Sequence, residues 1–360
     1  MSLTIQQIRQ VLSGVIDPVT AEPVGASVKD RDIRLDGPSV SVRIELGYPS
    51  AGVAEALSAD VRAALQTAGA PGAQVEVVAK VVAHAVQRGL KPLPNVKNVI
   101  AVASGKGGVG KSTTAANLAL ALAADGARVG ILDADIYGPS QPTVLGISGR
   151  PESRDNKTME PLEGHGIQAN SIGFLIDADS PAIWRGPMVT QALEQLLRQT
   201  NWGNLDYLIV DMPPGTGDIA LTLSQKVPVV GAVIVTTPQD LALLDARKGL
   251  RMFQKVDVPI LGVVENMAVH VCSQCGHAEH IFGEGGGARM AEQYGAPWLG
   301  ALPLALSIRE HADAGRPTVV AEPDGPAAQA YRAIARRLAA QVARLPKDTT
   351  SLFPPIVTQS

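Results

Sequence analysis

The sequence predicts an α/β fold: a mostly parallel sheet flanked by helices, with a small α+β domain ahead of it. Three observations carry this. From Asn98 onward, short continuous apolar runs recur, spaced by helical stretches, as in buried parallel strands. Before about residue 90 the pattern is different and alternates instead. The 36 Gly and 26 Pro suit a chain with many tight turns better than a helical bundle.

The elements follow in order. Residues 4–13 read as a short amphipathic helix. Residues 40–46 alternate, with Val40, Val42, Ile44 and Leu46 on one face of a strand. A helix is expected over about 52–67 and a strand over 74–82. These make a first domain, residues 1–90. Lys91-Pro92-Leu93-Pro94-Asn95 carries two prolines and marks a linker over 91–97. The second domain, 98–345, opens with the apolar run 99–103, a Gly-rich loop and an Ala/Leu-rich helix over 112–124. Strands are expected at 129–132, 207–210, 232–235 and 260–264, with a last helix over about 326–345. Loops at the C-terminal ends of such strands hold the ligand. The polar tail, 346–360, is expected to be mobile.

Composition sets limits. With 360 residues and 46% hydrophobic residues the chain can bury a sizeable core, and with 3% aromatics that core must be aliphatic. A net charge of −3 argues against a whole-molecule grip on nucleic acid. Two cysteines exclude a disulfide-built fold. The N-terminus has no basic segment followed by an apolar one, and no apolar run approaches the ~20 residues that span a bilayer. A cytoplasmic protein is expected, with no nucleic acid and no membrane among its partners.

Gly105-Lys106-Gly107-Gly108-Val109-Gly110-Lys111-Ser112 fits the phosphate-binding loop G-x-x-x-x-G-K-[ST]. Its glycines let backbone N–H groups turn around phosphate oxygens, and the following helix aims its positive end at the same place. Lys111 is expected on the β/γ-phosphates and the Ser112 hydroxyl on Mg²⁺. The fold class is thereby that of a P-loop NTPase. The second lysine, Lys106, is not required by a general P-loop. With it the loop resembles the deviant Walker A of the MinD/ParA class, in which this lysine reaches across a nucleotide-sandwich dimer to the partner's ATP.

Asp133 and Asp135 end the second expected strand of this domain, and their i, i+2 spacing points both carboxylates to one side. Near ATP, one can hold a metal-bound water and the other can orient the attacking water. The resemblance to MinD/ParA assigns Asp133 to the metal shell and Asp135 to water activation. The apolar strand 206–210 ends in Asp211, as a Walker B acid does, and Asp211 is expected to bind Mg²⁺. The Pro- and Gly-rich turn 212–218 can move as switch segments do. Asn266 ends the strand 260–264; its amide suits the edge of adenine, and spacing alone equally allows a turn cap.

Cys272 and Cys275 form a C-x-x-C turn suited to a soft metal. A redox pair would need another setting. A zinc site with His277 and His280 has short spacings for one tetrahedron. A [4Fe–4S] cluster takes four thiolates, so two chains would have to meet at a two-fold axis. Residue pattern alone leaves iron–sulfur and dimer-bridging zinc both open.

The chain resembles the Mrp/ApbC-type iron–sulfur cluster carrier proteins, relatives of MinD. The resemblance rests on S-G-K-G-G-V-G-K-S-T at 104–113, D-A-D-I-Y-G-P-S at 133–140, W-R-G-P-M at 184–188 and D-Y-L-I-V-D-M-P-P-G-T-G-D at 206–218. It continues in T-T-P-Q-D at 236–240, E-N-M at 265–267, C-S-Q-C-G at 272–276 and I-F-G at 281–283. The first 90 residues resemble the PaaD-like iron–sulfur assembly domain; here they contain no cysteine. The resemblance implies a homodimer that binds ATP and Mg²⁺ and holds a labile [4Fe–4S] cluster between two Cys272/Cys275 pairs. It further implies transfer of that cluster to apo-proteins, with slow ATP hydrolysis as a switch. Residues Gly105 to Thr113 (Gly105, Lys106, Gly107, Gly108, Val109, Gly110, Lys111, Ser112 and Thr113), with Asp133, Asp211 and Asn266, are the nucleotide-site residues it implies; Lys106, Lys111 and Asp135 are the catalytic ones. A positioning or partitioning ATPase and a zinc-bridged regulatory dimer are the competing functions.

Overall fold

The computed structural model describes residues 3–37, 39–176, 186–272 and 274–349. By their contacts, residues 1–82 with 124–126 form one compact unit, and residues 83–123 with 127–360 form another.

In the smaller unit, α1 (Ile5–Ser13) starts at a capping box between Thr4 and Gln7 and buries Ile8 and Leu12. Strands β1 (Ile33–Asp36) and β2 (Ser39–Leu46) pair antiparallel. After α2 (Ala54–Thr67), β3 (Gln74–Ala79) pairs parallel with β2. The alternation in β2 buries Val40, Val42, Ile44 and Leu46, the face expected from the sequence. α2 supplies Leu57, Val61 and Leu65 to the core.

The larger unit is built on an eight-stranded sheet. Its elements begin with β4 (Val96–Ser104), α3 (Lys111–Ala124), β5 (Val129–Asp133) and α4 (Gln141–Leu145). Next come β6 (Leu162–Gly164), β7 (Ile167–Ser171), α5 (Gly186–Arg198), β8 (Leu205–Asp211) and α6 (Asp218–Lys226). Then follow β9 (Gly231–Thr236), α7 (Asp240–Lys255), β10 (Ile260–Glu265) and the short hairpin strands β11 (His270–Val271) and β12 (Ala278–Glu279). The unit closes with α8 (Gly286–Gln293), β13 (Trp298–Ala301), α9 (Leu306–Asp313), α10 (Thr318–Ala321) and α11 (Pro326–Ala343).

The strand order is β13-β10-β9-β4-β8-β5-β7-β6. Every pairing is parallel except that of β6 with β7. β5, β8 and β9 are buried along their whole length, as expected of strands covered on both faces. α3 is buried nearly all round, which explains its Ala/Leu composition. The register places Asp133 of β5 opposite Asp211 of β8, and Asp211 opposite Val102 of β4. The strand-end acids and the loop after β4 therefore gather at one edge of the sheet. No described helix is long and apolar enough to cross a membrane.

Residues 83–90, expected to close the first domain, group instead with the larger unit. The reason is an antiparallel bridge between His84 and Lys347, with Ala85 N–H donating to Pro346 O (2.9 Å) and Asp348 N–H to Ala83 O (3.0 Å). The start of the expected tail is thus held, while 350–360 lie outside the described residues. His84 is buried beneath this bridge, and its Nδ1–H donates to Asn98 Oδ1 (2.9 Å). Burial, and secondarily the charge of Lys347, lower its pKa. The unfolded chain therefore takes up the proton first as pH falls, so stability is expected to fall as the pH drops below about 6.5. Thermal melts across pH 5–8 check this: His84→Gln should flatten that part of the slope, and an unchanged slope would remove His84 from the account.

Candidate nucleotide site and cysteine hairpin

β4 hands the chain to the loop 105–110, and α3 begins at Lys111. Two glycines here are dictated by space. A Cβ on Gly105 would overlap the backbone of Asp245 and Ala246, where α7 packs against the loop. Gly110 has φ 79°, and a Cβ there would overlap Asn266 Nδ2. Gly107 and Gly108 are exposed, Val109 is buried, and Ser112 and Thr113 are half-buried at the helix start. Lys106 is half-buried, and its carbonyl accepts from Ser104 Oγ (2.9 Å).

Lys111 is only 6% exposed, and its Nζ donates to Ser112 Oγ (3.2 Å) and to Asp211 Oδ1. One ammonium thus bridges the two oxygens expected to hold a metal. That shared cation is the fit test for Mg²⁺: a carboxylate and a hydroxyl are hard oxygen donors, and they already converge on one positive charge. The turn after β8 lies beside the same loop, with Gly215 N–H donating to Ser104 O (2.9 Å).

The neighbouring acids differ. Asp133 is fully buried, and its carboxylate accepts from the N–H groups of Asp135 (3.1 Å), Ser140 (2.9 Å) and Gln141 (3.0 Å) and from Ser171 Oγ (3.1 Å). Burial, then the charge of Asp211, raises its pKa above the usual carboxylate range. Asp133 therefore organises the loop 134–141 from within. Asp135 is half-buried, accepts from Gly138 N–H (3.3 Å), and has its pKa raised chiefly by burial.

Gln141 is the residue that sequence reasoning missed. It is fully buried at the start of α4, and its Nε2 donates to Ser112 O (3.1 Å) and Asp211 Oδ2 (2.8 Å). With its own N–H on Asp133, it ties the three motifs together. The only signal was its place directly after the D-A-D-I-Y-G-P-S segment.

A cavity of about 460 Å³ opens beside the loop, lined by Gly110, Thr113, Asn266, Met267, Leu304 and Arg309 among others. Asn266 stands in its wall, and its Nδ2 donates to Val109 O (2.9 Å). That leaves its second N–H and its side-chain oxygen as the groups able to meet a base.

The cysteines sit on the hairpin of β11 and β12, closed by Cys272 N–H to His277 O and Gly276 N–H to Cys272 O, both 2.9 Å. Cys275 is exposed and Cys272 half-buried. Backbone N–H groups of Cys275 and Gln274, and then the Cys275 thiol, lower the Cys272 pKa. Among the described residues no three of His, Cys, Asp and Glu gather as a metal set, so His277 and His280 do not complete a tetrahedron with the cysteines. Trp184 and Arg185 of the W-R-G-P-M segment lie outside the described residues.

Residues 95–339 match the family described as ParA, NUBPL iron-transfer P-loop NTPase. The chain belongs to this family. Residues 5–79 match a second family, described as iron–sulfur cluster assembly protein. The larger unit of this NUBPL-type NTPase is therefore a nucleotide-binding fold, and the assembly-domain match falls inside the smaller one. Several relatives are named iron–sulfur cluster carrier protein. The one from Pseudomonas fragi is 63% identical over 74% of this chain and 94% of its own length. The one from Synechocystis sp. is 47% identical over 94% of this chain and 98% of its own. Among solved structures, a nucleotide-binding protein from Archaeoglobus fulgidus in complex with ADP superposes with a TM-score of 0.57 at 38% identity, covering 65% of this chain and 91% of that one.

Proposed function

We propose that this NTPase carries iron–sulfur clusters: a homodimer holds a labile [4Fe–4S] cluster between two Cys272/Cys275 pairs and passes it to apo-proteins, with ATP as the switch. The observation that carries the reading is the exposed cysteine turn, its Cys272 biased toward thiolate, on a hairpin that follows directly from the wall of the nucleotide cavity. Relatives named as cluster carriers support it. Each chain offers two thiolates, and the cluster takes four. A site with two ligands per chain suits release, because few bonds must be exchanged with an acceptor.

In this reading the loop 105–113 cradles the phosphates, Lys111 holds the β/γ oxygens, and Lys106 reaches the partner's nucleotide. Ser112 and Asp211 would hold Mg²⁺, which when bound offsets charge on the phosphates. Asp133 supports this shell through the loop it organises, and Asn266 faces the base. Asp135, its pKa raised by burial, orients the attacking water. Slow turnover suits a conformational switch.

Asp135→Ala is expected to keep ATP binding and to lose hydrolysis by about 10²–10⁴-fold, the usual span for a positioned acid–base group. Calorimetric titration and phosphate release check the two halves; lost affinity with normal turnover per bound ATP would overturn the role. The function itself is tested by anaerobic reconstitution with iron and sulfide, followed by visible absorption and metal analysis. About one four-iron cluster per dimer is expected. A colourless protein that takes up zinc and no iron would replace the carrier with a zinc-bridged dimer.

A further inference from the structure

The cysteine hairpin is joined to the nucleotide cavity by a short stretch of chain tied down by several hydrogen bonds. Asn266 holds the phosphate loop at Val109 O. Met267, the next residue, lies in the left-handed region at φ 58° and lines the cavity. Ala268 N–H donates to Leu302 O (2.9 Å), and Leu304 N–H donates to Val269 O (2.8 Å). His270 begins the hairpin and forms a bridge with Leu304, itself a cavity residue.

Two imidazoles close the base of this hairpin, one on each side. His270 Nδ1 lies 3.1 Å from Leu304 O, and His280 Nδ1 lies 2.7 Å from Ala268 O. A carbonyl can only accept, so both rings carry the proton on Nδ1. His270 thereby fastens one end of the cysteine-bearing segment to Leu304, which lines the nucleotide cavity, and His280 fastens the other to Ala268, next to the cavity residue Met267. A non-glycine residue at positive φ is strained and persists only where its surroundings hold it. Met267 is therefore a place where a ligand in the cavity can shift the backbone, and the next residue is the one that His280 grips.

The geometry points to His270 and His280 as positioning residues that couple nucleotide occupancy to the arrangement of Cys272 and Cys275. Neither is placed as a ligand or a catalytic group. The inference deepens the carrier reading, since it supplies the route by which ATP would act as a switch at the cysteines. Its test is independent of any cluster.

The experiment measures iodoacetamide alkylation of the two thiols in the reduced, metal-free full chain, with and without Mg·ADP. In the wild-type chain the nucleotide should change the rate by about fivefold or more, the lower end of couplings between sites. His270→Ala and His280→Ala should still bind ADP, but the ratio of the two rates should fall to about 1, the value expected without coupling. His270→Asn and His280→Asn keep an N–H near the Nδ1 position and should restore the ratio. That rescue separates positioning of the hairpin from a general loss of packing. A wild-type rate that ignores ADP would overturn the inference, as would alanine variants that keep the wild-type ratio. If instead the ratio behaves as expected and the chain takes up no iron, the coupling stands and the carrier reading falls.

Discussion

Lys111→Ala is expected to abolish measurable nucleotide binding and to destabilise the protein in the same stroke. The side chain is 6% exposed and pairs with Asp211, which is fully buried beside Asp133. Removing it takes away the cation expected on the phosphates and leaves two buried carboxylates without their shared positive neighbour. Breaking a buried pair from one side costs about 3–5 kcal/mol. The sign of the pH dependence follows. Asp133 is already raised by burial and by Asp211, and the charge of Lys111 is one of the influences that lower it. Without Lys111 the folded protein binds protons more readily than the unfolded chain, so the stability deficit should shrink as pH falls from neutral. Calorimetric titration with ADP reads the first effect and thermal melts at several pH values read the second. Lys111→Met, which keeps length and removes charge, should lose binding equally. Unchanged affinity in either variant would remove the phosphate role from Lys111.

Cys272→Ala is expected to lose essentially all reconstituted cluster while keeping nucleotide binding. Two thiolates at a two-fold axis cannot meet the four-thiolate requirement of a [4Fe–4S] centre. Cys275→Ala should behave alike, since symmetry makes the two positions equal in number of ligands supplied. The cysteine turn lies after β11, whereas the phosphate loop follows β4, so ADP affinity should survive in both variants. Iron and sulfide analysis with visible absorption provides the readout. Full occupancy in the Cys272→Ala variant would mean that another ligand set holds the cluster, and the bridging geometry would be wrong.

The phosphate loop, the strand acids and the cysteine turn were legible because each packs its chemistry into a few consecutive residues. The central strands were legible because burial on both faces makes them apolar throughout. The outer strands of the two sheets were not. β6 and β13 are short, β7 has two large polar residues in Gln168 and Asn170, and β1 buries one residue of its four. Gln141 was missed because an amide has no local signature; its role exists only where β5, β8 and α3 bring Asp133, Asp211 and Ser112 together. His280 stands out in the sequence only as part of a zinc set whose spacing after Cys275 is short for one tetrahedron. The fold turns its Nδ1 to the Ala268 carbonyl, a contact that nothing in the local sequence announces.

The bridge between residues 83–85 and 346–348 bears on how the protein is made. Synthesis delivers residue 83 long before residue 348, yet the two sides of the bridge belong to one unit. β4, the strand at the heart of the sheet, follows soon after residue 85 and is made long before residues 346–348 can bridge the segment ahead of it. A nascent chain stalled before residue 346 would lack the bridge over His84, and chaperones would meet it with the start of this unit uncovered.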